Sequence, residues 1–134
     1  MGYNIYQSGS NFTIDADNLL PLAKHLAQKY SPPIYPELYK DASPRELNFY
    51  LEEFFNEFAF EIEVEKEGIT SIHYTGEKSW KEDEFCDAIA PYVKKGSYIE
   101  FTGEDSAMWR HVFTGKKAVI SQPTIIWDDP LTLE

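Results

Sequence analysis

Apolar and polar positions recur along this chain with two different periods, and the changes of period mark its elements. Leu19, Leu22, Ala23, Leu26 and Tyr30 repeat at helical spacing behind DADNLL, which predicts a first helix ending near Tyr30. Asp15 or Asp17 suits its cap, and Pro21 is tolerated in a first turn. NFTI (11–14) precedes it as a short strand. SPPIYPELYKDA (31–42) is broken by three prolines and reads as an extended loop, with Tyr35 and Tyr39 available to pack or to bind. SPRE (43–46) has the form of a capping box with proline at the first helical position. Leu47, Tyr50, Leu51, Phe54, Phe55 and Phe58 then form an apolar stripe, predicting a second helix over about 44–58.

The period becomes two at FEIEVEKEGITSIHY (60–74). Phe60, Ile62 and Val64 face one way and Glu61, Glu63 and Glu65 the other, with KEG as the turn into a return strand. SWKE (79–82) has the form of a second capping box. Phe85, Ala88, Ile89, Tyr92 and Val93 continue a third helix, which Pro91 should kink or shorten before Gly96 caps it. SYIEFT (97–102) and MWRHVF (108–113) alternate as a hairpin, and AVI with TIIW (118–127), interrupted by Pro123, makes a last strand or two. The predicted order is β-α-α-β-β-α-β-β-β. Strands joined by short turns are antiparallel neighbours, so the expected class is α+β, with three helices on an antiparallel or mixed sheet. Residues 128–134 read as a tail of a single domain spanning 1–134.

Composition adds a compartment and a charge. With 43% hydrophobic and 16% aromatic residues, the chain can build a packed core without a disulfide or metal. The single cysteine, Cys86, fits a reducing compartment. The opening MGYNIYQSGS lacks the basic charge and apolar core of a secretion signal, and no apolar run reaches the ~20 residues of a membrane span. A cytoplasmic protein is expected. The net charge is −11, which argues against direct binding to nucleic acid or to an anionic membrane. Its distribution is uneven: residues 44–87 hold thirteen acids and four bases, net −9, while the flanking thirds carry −1 each.

GEDSAMWRHVF (103–113) concentrates candidate chemistry. Glu104, Asp105, Arg110 and His111 would be its reacting groups, but residues 110 and 111 point to opposite faces of a strand. Glycine, aspartate and serine suit a hairpin turn for backbone reasons. Two loop acids and one histidine fall short of the three or four convergent ligands a metal site wants. His25, His73 and His111 share no ligand spacing with one another or with Cys86. No catalytic residue, metal or cofactor is therefore expected. Trp109 and Arg110 belong to the residue types favoured at binding hot spots.

The acidic row remains. Glu61, Glu63 and Glu65 stand ~6.6 Å apart on one strand face, where like charges repel unless solvent or a basic partner relieves them. Such a row also guards a sheet edge. Glu82, Asp83 and Glu84 would extend it, although Glu82 and Asp83 also suit a helix N-terminus.

Two stretches carry a resemblance. MGYNIYQSGSNFTI resembles the MGY…GxFTI opening of a group of small bacterial and phage proteins. GSYIEFTGEDSAMWRHVF through TIIW resembles their G-S-Y-I-E, G-E-D, W-R and V-F pattern. Together they cover under half of the chain. No site residue follows from the resemblance, and its phage association implies an inhibitor or accessory role.

The leading expectation is thus a small acidic, non-enzymatic interaction protein that meets a basic protein surface through Glu61, Glu63, Glu65, Glu82, Asp83 and Glu84. An inhibitor of a nucleic-acid-acting enzyme, either an immunity protein or a phage anti-defence protein such as an anti-CRISPR, is its most concrete form. The alternative is a small-molecule binding domain using Tyr35, Tyr39, Trp109 and Arg110. A further alternative is a small hydrolase using Glu104, Asp105 and a histidine.

Overall fold

The computed structural model describes residues 2–29 and 44–128. Its strands are β1 (Ile5–Asn11), β2 (Ile14–Asp15), β3 (Phe60–Glu65), β4 (Gly68–Tyr74), β5 (Tyr98–Gly103), β6 (Met108–Phe113) and β7 (Ala118–Ser121). Its α-helices are α1 (Leu19–Lys29), α2 (Pro44–Glu57) and α3 (Glu82–Ile89). The class is α+β. The strands form two antiparallel sheets instead of one, ordered β1-β5-β6-β7 and β2-β4-β3.

β1 is a strand that hydrophobic alternation does not reveal. It pairs with β5 from Ile5 opposite Gly103 to Asn11 opposite Tyr98, with a shift of register between Gln7 and Gly9. Behind Ile5, the next position on its inward side is Gln7. That amide joins the two sheets. β2 pairs only with the Gly68–Ile69 end of β4, leaving the Ile72–Tyr74 end of that edge without a strand partner. There Gln7 Nε2 donates to the Ile72 carbonyl at 2.8 Å, and Gln7 Oε1 accepts from the Tyr74 N–H at 2.8 Å. One side chain thus does the hydrogen bonding of a missing strand residue.

β4 carries a bulge. Ile62 faces Ile72 and Val64 faces Ile69, so Glu63 stands against both Thr70 and Ser71. The extra residue lets Ile69 and Ile72 both point inward despite their spacing of three. Gly68, at φ 122°, begins the strand so close to β2 that a Cβ would collide with the Ile14 carbonyl.

The helices bury the stripes that periodicity predicts. Leu19, Leu22, Ala23, Leu26 and Ala27 of α1 are buried, as are Tyr50, Leu51, Phe54 and Phe55 of α2. Phe85 of α3 stacks on Phe60 of β3 at 4.6 Å and meets Phe55 edge-on at 4.9 Å. The aromatic contacts continue from Phe60 to Tyr74, then to Phe101 of β5, and on to Trp109 of β6. Burying each such ring contributes roughly 1.5–3 kcal/mol, so this chain of rings ties α2 and α3 to both sheets.

Several end signals act differently from their sequence form. A short 3₁₀ turn (Ala16–Asn18) precedes α1, and Asp15 makes no side-chain cap bond to it. Ser79 does not cap α3 either: the helix starts at Glu82, whose carboxylate turns back to accept from the Ser79 hydroxyl and the Trp80 N–H. Pro91 stops α3 at Ile89 and leaves a 3₁₀ turn over Ala90–Tyr92. Gly96 is left-handed (φ 93°) but serves the turn into β5, donating to the Phe113 carbonyl. TIIW is not a strand; β7 ends at Ser121. The end of the first helix at Tyr30, the 31–42 loop and most of the 128–134 tail lie outside the described residues. No described helix is long and apolar enough to cross a membrane.

Candidate functional site

The GEDSA loop is a hairpin turn between β5 and β6. Gly103 N–H donates to the Ala107 carbonyl at 2.8 Å, and Ser106 takes a left-handed φ of 69°. Asp105 accepts from the Ala107 N–H within this turn and from the Tyr3 hydroxyl. The Tyr3 ring lies across Gly103, where a Cβ would clash with it, and stacks near Trp109 at 6.4 Å. The MGY and GED…W stretches, separate in sequence, therefore lock together in space. The hydrogen bond from Tyr3 holds the Asp105 carboxyl below its usual pKa and raises that of the phenol. Glu104 contributes its backbone N–H to the Asn4 carbonyl. None of these contacts includes a histidine.

Arg110 and His111 do point to opposite faces. His111 is buried beneath the sheet, edge-on to Phe101 at 5.6 Å. Its Nε2 accepts from Trp109 Nε1 at 3.3 Å and lies 3.5 Å from Asp83 Oδ1. Burial pulls its pKa down, against the opposing pull of Asp83, Glu82 and Asp87. A neutral imidazole whose Nε2 accepts the hydrogen bond of the indole N–H is consistent with that direction. Cys86, also buried, has its thiol pKa pushed well up by burial and by the same acids, the reverse of an activated nucleophile.

Arg110 lies on the outward face of the four-stranded sheet. Its guanidinium sits over the Tyr98 ring at 4.1 Å and its Nε donates to Glu100 Oε1 at 3.0 Å. Ser8 donates to the other Glu100 oxygen, and Thr102 donates to Ser8. Arg110 and Ser8 hold the Glu100 carboxyl below its ordinary pKa. A groove of about 320 Å³ runs beside this network, between Met108, Trp109 and Arg110 on one side and Ser121–Thr124 on the other. Trp109 and Arg110 are thus brought to one groove. Tyr35 and Tyr39 lie outside the described residues.

The acidic row falls on the outward face of β3. Glu61, Glu63 and Glu65 are all exposed, and Glu61 stands opposite His73 of β4. A groove of about 430 Å³ opens beside them. Glu52 and Asn56 of α2 line it from one side, and Glu61, Glu63, Ser71 and His73 from the other. The Arg110–Glu100 ion pair and the approach of Asp83 to the His111 imidazole both lie away from this face.

The second half of the expected acidic patch is elsewhere. α3 packs through Phe85 on Phe60, the inward residue of β3, whereas the glutamates alternate to the outward side. Glu82 is 5% exposed and spends its carboxylate on Ser79 and Trp80. Asp83 and Glu84 are exposed on α3, with Asp83 turned toward His111. The signal for this division was SWKE itself, which asks for a glutamate turned back on its own chain. Glu52 and Asn56 were the residues that sequence reasoning missed. Their helical spacing of four places them on one side of α2, but nothing in the sequence says which strand they meet.

No protein family, no curated protein and no solved structure matches the chain. Among the described residues, no three histidine, cysteine, aspartate or glutamate side chains are grouped to hold a metal ion.

Proposed function

We propose that the chain is a non-enzymatic interaction protein that presents the outward face of β3 to a basic protein surface. The observation that carries this reading is the row Glu61, Glu63 and Glu65, exposed, without an ion pair among the described residues, and beside a groove lined by Glu52. Carboxylates from a helix and a strand make that groove a receptor for a lysine or arginine side chain, while the row supplies the longer-range attraction that speeds encounter. An inhibitor of a nucleic-acid-acting enzyme is the most concrete form, as an immunity protein or a phage anti-defence protein of the anti-CRISPR kind. A regular row of carboxylates stands in for the phosphates that such an enzyme's cationic channel holds. The cytoplasm is the compartment in which that target would be met.

Carbodiimide coupling of the protein to partners in a cell lysate, followed by peptide mapping, tests the reading. Links from Glu61, Glu63, Glu65 or Glu52 to lysines of one basic protein support it. Links confined to carboxylates on other faces would remove its basis.

A second reading places a small ligand in the groove lined by Trp109 and Arg110, favoured by the exposed Arg110 guanidinium at its edge. A ligand retained in native mass spectrometry and lost in Arg110→Ala would favour it over the first.

A further inference from the structure

Among the described residues, the terminal strands β3 and β7 are treated in opposite ways. β3 ends the three-stranded sheet and carries Glu61, Glu63 and Glu65. β7 ends the four-stranded sheet, and the run AVISQPTIIW from 118 to 127 holds no charged residue, in a chain where 26% are charged. Its apolar side chains face solvent: Val119 is 44% exposed, Ile120 53%, Ile125 79%, Ile126 84% and Trp127 88%. An uncharged edge strand with exposed apolar flanks is a template for another strand.

We infer that β7 and the 122–127 segment form the interface of a homodimer. An antiparallel second copy of β7 continues the antiparallel pattern and would extend the four-stranded sheet to eight strands. A two-fold axis between the two strands sets residue i against j and j against i, so with the axis at Ile120 that residue meets its own copy and Val119 meets Ser121 of the second copy. Such pairing is unfavourable for a charged strand, where like charges would face one another. β3 is barred from it by its glutamates, and β7 is not. The net charge of −11 favours the same place, because two copies repel wherever their acidic surfaces approach. Area also suits a second copy. With ~150–250 Å² as the scale of a large buried side chain, complete burial of the five exposed fractions would remove up to roughly 700 Å² per copy, approaching the ~800 Å² per partner of an ordinary specific interface.

Sedimentation velocity on the full chain over about 1–100 μM, within the wide affinity range of interfaces this size, tests the inference. A species of twice 15.5 kDa is expected. The Ile125→Lys/Ile126→Lys variant should weaken it at least about tenfold, with unchanged circular dichroism, because both positions lie outside any strand and are mostly exposed. Ile120→Lys should weaken it likewise. A native chain that stays monomeric throughout overturns the inference, as does a dimer that survives both variants. A Glu61→Lys/Glu63→Lys/Glu65→Lys variant should dimerise at least as well as the native chain, so the dimer and the acidic-face proposal fail separately.

Discussion

Replacing Gln7 with methionine probes the joint between the two sheets. Methionine keeps the length and flexibility of the side chain but removes both hydrogen-bonding atoms. Two bonds of 2.8 Å would be lost, from the amide to the Ile72 carbonyl and from the Tyr74 N–H to the amide. Each such bond contributes about 0.5–1.5 kcal/mol net, and a backbone group left partly buried without a partner costs about 1–3 kcal/mol. Gln7 is half-buried, so water relieves part of that cost, and a total loss of roughly 2–3 kcal/mol is expected. For a domain of this size that lowers Tm by roughly 6–12 °C. Urea and thermal unfolding should show the loss with an unchanged denaturant slope, since the same surface is exposed. Gln7→Glu separates the two bonds. Its carboxylate can still accept from Tyr74, but it faces the Ile72 carbonyl with no donor until it is protonated. A Gln7→Met variant within ~0.5 kcal/mol of the native chain, the scatter of ordinary surface substitutions, would refute the amide as the element that joins the sheets.

Two further outcomes concern the buried groups. Burial lowers the His111 pKa, so the folded chain binds fewer protons than the unfolded one. Stability should then rise with pH in the interval just below about 6.5 and become flat above it for this group. His111→Gln should flatten that slope in urea titrations at several pH values, and equal slopes would contradict the assignment. Cys86, with its buried and strongly raised thiol, should react with an aromatic disulfide reagent at least ~100-fold more slowly in the folded chain than in urea, because access requires opening of the core. Rapid native labelling would show that α3 opens readily.

Local patterns carried much of this fold. The Leu47–Phe58 stripe, the FEIEVE alternation and the SYIEFT–MWRHVF hairpin all lie where periodicity put them, because each buries one face against a common core. Residues 110 and 111 were separable for the same reason. β1 was not legible, since Gln7 uses tertiary hydrogen bonds where a strand normally offers an apolar side chain. The bulge at Thr70–Ser71 is visible only once Ile69 and Ile72 are known to share a face. TIIW has strand composition, yet Ile125, Ile126 and Trp127 lie exposed beyond the end of β7, where β6 offers no further pairing. Of the site, the Glu61–Glu65 row was readable from its period. Its partners on α2, and the withdrawal of Glu82 into its own helix start, depend on how helices and sheet pack.

The central claim is that the outward face of β3 is the working surface. The most direct measurement compares the proteins captured from a lysate by the native chain and by a Glu61→Lys/Glu63→Lys/Glu65→Lys variant of unchanged circular dichroism, each at low and at raised salt. The claim predicts a basic protein held by the native chain, weakened by salt because exposed charges are screened, and lost from the variant. Equal capture by both chains would contradict it and return the row to a solvated edge that keeps β3 from pairing.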